Sequence, residues 1–222
     1  MKQVADGVWQ LRGFPPNGIT VYLVEDVLID AATRRAGRRI LGQLRGRRVT
    51  AHALTHAHPD HQGASAEVCR ALDVPFWVGE GDVAAAEDVA VLAASQADHP
   101  LNRLAMRFWT GPGRPVDRPL AEGDEVGGFR VLGTPGHSAG HMSFWREPDR
   151  VLILGDVLNN MNVMTGIPGL NEPPTFFTTD PAENRRSARR LAALEPRLML
   201  FGHGAPLRDT GKLVDFVGRL AA

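Results

Sequence analysis

The densest chemistry in the chain is Thr55-His56-Ala57-His58-Pro59-Asp60-His61-Gln62-Gly63, with three imidazoles and a carboxylate inside six residues. Imidazole nitrogen and carboxylate oxygen are the donors that zinc, iron and manganese take when thiolate is absent. With eight histidines in 222 residues, three in so short a window fit chance poorly. More donors stand far along the chain, each preceded by glycine. They are His137 in Thr134-Pro135-Gly136-His137-Ser138-Ala139-Gly140-His141, Asp156 in Leu154-Gly155-Asp156, and His203 in Phe201-Gly202-His203-Gly204. Taken singly, a strand-end histidine is more often structural than functional. Added to the first cluster, these residues complete a donor set for two metal ions.

Donors scattered over 150 residues can meet only if short strands end where the donors begin. Residues 8–11, 20–24 and 27–29 read as a meander around the turn Phe14-Pro15-Pro16-Asn17-Gly18. Ile40, Leu41 and Leu44 fall at helical spacing within 34–45. Residues 51–55 predict a buried strand that delivers His56, followed by a helix from about 60 to 72 and a strand at 75–78. An interrupted helical stretch over 80–110 is stopped by Gly111-Pro112-Gly113-Arg114-Pro115. A second β-rich block covers 129–132, 142–145 and 151–154. Asp180-Pro181-Ala182-Glu183 starts a helix with a carboxylate cap, Pro at N1 and Glu at N3. A strand at 198–201 and a closing helix at 212–220 complete the pattern. Two β-plus-helix halves, around 1–75 and 120–202, predict an α/β chain folded as a four-layer αββα sandwich, with 1–222 as a single domain.

Residues 157–179 are rich in Asn, Pro, Gly, Met and Phe and show no clean period. Long irregular loops inside compact domains are more often functional than not. Met161, Met164, Phe176 and Phe177 are therefore expected to wall or cover a pocket beyond Asp156.

Composition removes several function classes. Twenty-five basic residues balance twenty-five acidic ones, so no basic excess points to nucleic acid. The arginine runs at 34–39 and 185–190 read as solvated helix faces. Cys69 is the single cysteine, which excludes an internal disulfide and a cysteine-rich zinc site. It falls mid-helix and reads as a buried thiol. The N-terminal residues lack the apolar core of a signal peptide, and no apolar run approaches a membrane span. The expectation is a soluble cytoplasmic protein acting on a small molecule, without nucleic-acid or membrane partners.

The His-x-His-x-Asp-His run, the Gly-His-Ser-x-Gly-His segment, Leu-Gly-Asp and the late Gly-His-Gly together resemble the metallo-β-lactamase superfamily, on the hydrolase branch that looks like glyoxalase II. The resemblance implies a first metal on His56, His58 and His137, and a second on Asp60, His61 and His203, with Asp156 bridging both. It implies two divalent ions, zinc foremost with iron or manganese as alternatives, and hydrolysis of an ester, thioester or lactone. Asp60 would then also orient the nucleophile or shuttle a proton. His141, four residues past His137, is expected to hydrogen-bond behind the ligands. Asp30 resembles the family's early Asp-x-Gly, although Ala32 replaces the glycine, and a supporting role is expected for it too. His52 and His99 are expected to be ordinary polar histidines.

Departures from the family leave the substrate open. Members that destroy β-lactams generally lack an Asp at the Asp156 position. Only nineteen residues follow His203, too few for the helical platform with which glyoxalase II grips glutathione. Lactonases of this fold use a pocket tyrosine, whereas the lone Tyr22 lies on a predicted N-terminal strand. A second reading is an iron oxidoreductase resembling a persulfide dioxygenase, using only His56, His137 and Asp156.

Overall fold

The computed structural model describes residues 1–221, and its strands fall into two large sheets and one small hairpin. The first sheet runs in sequence order: β1 (Lys2–Ala5), β2 (Val8–Gln10), β3 (Tyr22–Val24), β4 (Val27–Ile29), β5 (Ala51–Ala53), β6 (Phe76–Gly79) and β7 (Arg118–Leu120). Its first four strands pair antiparallel and its last four parallel. Parallel neighbours need long crossovers, and the helices supply them. They are α1 (Gly37–Leu44), α2 (Pro59–Gln62), α3 (Ser65–Leu72), α4 (Val83–Glu87), α5 (Val89–Ser95) and α6 (Pro100–Trp109). The second sheet contains β8 (Glu125–Val126), β9 (Phe129–Gly133), β10 (Met142–Arg146) and β11 (Val151–Gly155). After the hairpin β12 (Asn159–Met161) and β13 (Pro168–Asn171) comes α7 (Pro181–Ala192). Strand β14 (Leu198–Phe201) then adds parallel to β11 at the sheet's edge, and α8 (Thr210–Gly218) follows.

Why two sheets and two outer helix layers form is visible in the apolar runs. Strands buried on both faces read as continuous hydrophobic stretches. In β11, Val151 and Ile153 enter the core between the sheets, while Leu152 and Leu154 pack with Ala188, Leu191 and Leu213 of the outer helices. In β4, Val27 and Ile29 face the other sheet, and Leu28 packs with Ile40, Leu44 and Val68. The period-two alternation thus builds the four layers, and the αββα sandwich is the observed architecture.

Several elements differ from the sequence-based expectation. The helix expected over 60–72 is two helices, α2 and α3, broken at Gly63-Ala64. A side chain at Gly63 would stand 2.4 Å from both the Arg34 nitrogen and the Trp109 carbonyl oxygen, so tertiary contacts hold the chain at that break. The first half also runs further than 75. The short, largely exposed β7 returns to pair with β6, so the first sheet closes only at Leu120. Strand β1 went unread because its residues are half polar and lie on an edge. The loop 157–179 contains the β12–β13 hairpin and a 3-10 turn at Thr175–Phe177. Among the described residues, no helix is long and apolar enough to cross a membrane.

Candidate metal centre

Four strands end at the same edge of the sandwich, and each delivers a donor within four residues of its end. β5 leads to His56, β9 to His137, β11 to Asp156 and β14 to His203. The tight turn into α2 adds His58, Asp60 and His61. The seven donors meet. Three overlapping groups have donor atoms within 4.8 Å of one another: His56, His58 and His137; His56, His61 and Asp156; and Asp60, His61 and His203. Asp156 sits at the junction, its Oδ2 lying 3.1 Å from His203 Nε2 and 3.7 Å from the Nε2 atoms of both His61 and His137. Asp60 Oδ2 is 3.3 Å from His203 Nε2.

Most of the imidazoles are gripped by one nitrogen and present the other to this common space. His61 Nδ1 donates to Asp30 Oδ2 at 2.9 Å, and Asp30 also accepts from Thr55 N and Thr55 Oγ1. His56 Nδ1 meets the Thr55 hydroxyl at 2.9 Å, His137 Nδ1 meets the Thr178 hydroxyl at 3.3 Å, and His203 Nδ1 donates to the Gly18 carbonyl. Such outer partners fix which nitrogen is free and where it points. The free ends are buried and unsatisfied: His56 Nε2, His61 Nε2, His137 Nε2 and Asp156 Oδ1 have no hydrogen-bond partner. Buried polar atoms are normally paired, so four orphans aimed together fit a set of cations. The sequence's glycines have a steric reason here. A Cβ on Gly202 would lie 1.9 Å from Asp156 Oδ1, so the residue before His203 cannot carry a side chain without moving that carboxylate.

Electrostatics divide the centre. Burial, reinforced by neighbouring imidazoles, holds His56 and His137 well below the ordinary imidazole range, and burial also lowers His58. Burial acts the same way on His61 and His203, but carboxylates overcome it. Asp156, Asp30 and Asp60 raise His61 well above its usual value, and Asp156 and Asp60 push His203 up to about 10. Burial would raise Asp60 and Asp156, yet the facing imidazoles of His61 and His203 hold both carboxyls below their usual range.

His141 is engaged at both nitrogens, with Nε2 accepting from Asp156 N at 3.0 Å and Nδ1 meeting the Thr134 hydroxyl at 2.9 Å. Asp30 and Ala32 both have positive φ, 62° and 55°. Ala32 therefore occupies the left-handed conformation for which a glycine is better suited. The half-buried Phe176 and Phe177 rings pack together one residue from Thr178, and Phe176 stacks on His99 at 4.2 Å. Met161 is half-buried on β12, whereas Met164 at the hairpin tip is exposed and outside the donor cluster. Tyr22 is buried in the inter-sheet core with its hydroxyl on the Phe201 carbonyl, and Cys69 lies among Leu54, Phe76 and Val78. His52 is also buried, bonded to the Leu28 carbonyl and the Ser65 hydroxyl. Sequence reasoning passed over Thr55, Asp82, Thr134, Thr178 and the Gly18 carbonyl. Only Thr55 and Thr134, each within three residues of a donor motif, had a signal that could have found them.

The family model of the Metallo-beta-lactamase superfamily matches residues 15–203, which includes every one of these donors. The chain belongs to this superfamily. Among curated relatives, the probable metallo-hydrolase YflN of Bacillus subtilis (strain 168) is 30% identical over 88% of this chain and 83% of its own length. Among solved structures, TTHA1623 in a di-iron-bound form is 29% identical with a TM-score of 0.64, covering 96% of this chain and 91% of that one. BLEG-1, a B3 metallo-beta-lactamase, is 26% identical with a TM-score of 0.70, covering 94% and 96%. A superfamily protein with a buried cluster of histidines and aspartates is metallo-hydrolase-like and suited to divalent metals.

Proposed function

We propose that this chain is a dinuclear metal-dependent hydrolase, with zinc as its metal, that opens an ester, thioester or lactone in a small molecule. The observation that carries the reading is the convergence of buried, unpartnered donor atoms from His56, His61, His137 and Asp156 beside Asp60 and His203. His56, His58 and His137 would hold one ion, Asp60, His61 and His203 the other, and Asp156 would touch both. When bound, such a pair supplies a Lewis acid for the carbonyl oxygen and lowers the pKa of a water to about 7.

The chain's own residues do the rest. Asp60, whose side chain is 17% exposed, is the most open of the carboxylates at the centre. As an ionised carboxylate at the centre, it accepts the proton of the attacking water. Water oxygen adds to the carbonyl carbon, the bond to the alkoxide or thiolate breaks, and the proton passes to the departing group. The products are a carboxylic acid and an alcohol or thiol. Phe176, Phe177 and Met161 offer an apolar wall for the acyl portion.

Metal analysis after reconstitution with zinc, manganese or iron tests the first half of the reading. Two ions per chain are expected, and fewer than one would sink it. A hydrolysis panel of thioesters, lactones, aryl esters, phosphodiesters and a β-lactam tests the second half. Activity is expected on at least one of the first three classes, with negligible β-lactam turnover. Efficient β-lactam cleavage would reverse that ranking. A second reading is an iron-dependent oxidoreductase on His56, His137 and Asp156, and the di-iron-bound TTHA1623 supports it only in showing that a similar fold takes iron. Oxygen uptake on glutathione persulfide by iron-loaded protein, without hydrolysis, would select it.

A further inference from the structure

Asp82 ends the 3-10 turn Glu80–Asp82 that follows β6, and it belongs to none of the donor groups. Only 3% exposed, it is a carboxylate whose partners are an O–H and two N–H groups rather than a cation. Oδ2 accepts from Ala57 N at 2.9 Å and from the Ser138 hydroxyl at 2.6 Å, and Oδ1 accepts from Gly140 N at 2.7 Å. Ala57 lies between His56 and His58, and Ser138 follows His137. One carboxylate thus ties together the two loops that carry the three histidines of the all-imidazole group. Those loops leave different sheets, β5 in one and β9 in the other.

The fit around this tie is backbone against backbone. A Cβ on Gly79 would stand 2.0 Å from the Gly140 carbonyl oxygen, and one on Gly140 would stand 2.2 Å from Asp82 N. The turn and the loop therefore have no slack in which one could slide past the other. Burying a carboxylate is costly unless its lone pairs are filled, and a purely packing role would be met more cheaply by an apolar residue.

We infer that Asp82 is a positioning residue for the first metal, its carboxylate setting how far the His56–His58 turn stands from the loop bearing His137. This rests on the assignment of those three histidines as metal ligands. The partners of Asp82 do not include Asp60, Asp156, Asp30 or Gly18, which arrange the other group, so its influence is one-sided.

Asp82→Asn is the sharpest perturbation, because an amide has one acceptor oxygen and one donating nitrogen. Whichever way it turns, its NH2 faces a backbone N–H, of Ala57 or of Gly140, that cannot reverse. Titration of the metal-free protein with Co2+, followed by absorbance and calorimetry, reads the two sites separately. Wild type is expected to take two ions. D82N should keep one at wild-type affinity and bind the other about 10–100-fold more weakly, the range of outer partners. Ser138→Ala keeps both backbone contacts, so it should show the same one-sided loss below about tenfold, and it decides the matter if D82N does not fold. Wild-type affinity at both sites in the two variants, or an equal weakening of both sites, overturns the inference while leaving the ligand assignment standing. A wild-type chain that takes no Co2+ overturns both.

Discussion

Two donor groups a few ångströms apart solve the problem of burial in opposite ways. In the group of His56, His58 and His137, burial wins and the imidazoles stay neutral, with Nε2 of His56 and of His137 buried and unpartnered. In the group of Asp60, His61 and His203, joined by Asp156 and backed by Asp30, carboxylates win and the imidazoles keep protons. The first group can receive a cation without giving anything up. The second already balances its carboxylates with protons, which stand where the charge of a cation would be. Similar ligand types therefore behave differently, and the difference comes from where the carboxylates sit.

The largest break in this arrangement is Asp156→Ala. It removes the carboxylate that faces His61, His137 and His203 together. In the metal-free chain it leaves buried imidazolium groups without their main counter-charge, a change of about 3–5 kcal/mol in stability for a broken buried pair. With metals supplied, two ions would sit close together without the shared negative charge, so metal content should fall from two to one. Hydrolysis should fall with it by more than the about 100-fold typical of losing an outer partner. Denaturant melts of metal-free protein and metal analysis of the variant check the two halves. Two tightly held ions at full activity would remove Asp156 from the junction.

Proton release sharpens the comparison without changing a residue. Below its folded value of about 10, His203 holds a proton in the metal-free chain, and the carboxylates around His61 raise it well above its usual value as well. The His203 contribution to metal-free stability is therefore complete below the ordinary imidazole value of 6.5 and is lost as pH climbs through about 10. An ion entering the Asp60, His61 and His203 group must displace those protons, so its affinity should rise by about tenfold or more per pH unit near pH 7. The all-imidazole group has none to lose at that pH, and its affinity should be nearly flat. Calorimetry at pH 7 in buffers of different ionisation enthalpy counts the protons. Equal release at the two sites would erase the distinction.

What could be read from the sequence follows the same physical lines. The donors were legible because several chemically costly residues were packed into short motifs, and because Gly202 has to stay small beside Asp156. The layers were legible because β11 and β14 are apolar at every position, as strands covered on both faces must be. Asp82 was not legible. Its role exists only once a turn after β6 meets residues 25 and 56 positions away, and nothing local marks it. The same holds for the Gly18 carbonyl under His203 and for the break between α2 and α3. Of the arginine runs expected to be solvated faces, Arg34, Arg35 and Arg38 are exposed, while Arg185 and Arg190 pair with Glu172 and Glu122.

His141→Ala is milder than Asp156→Ala and asks whether the two groups share a support. Its ring stacks 5.0 Å from His56, in the first group, while its Nε2 accepts from the backbone nitrogen of Asp156, at the junction. Burial pushes its imidazole down to about 3, so it stays neutral across the working range. With Nε2 accepting, Nδ1 must carry the hydrogen and donate to the Thr134 hydroxyl. Neither nitrogen is then free to bind metal. Truncation removes the acceptor under Asp156 N and opens a space beneath His56, so both groups should loosen modestly. About 10–100-fold weaker binding is expected at both sites, with two ions still bound at saturation. His141→Gln, which can offer an acceptor from a similar reach, should recover part of the loss. Complete loss of one ion from the alanine variant would instead make His141 a ligand, and the account of its two occupied nitrogens would be wrong.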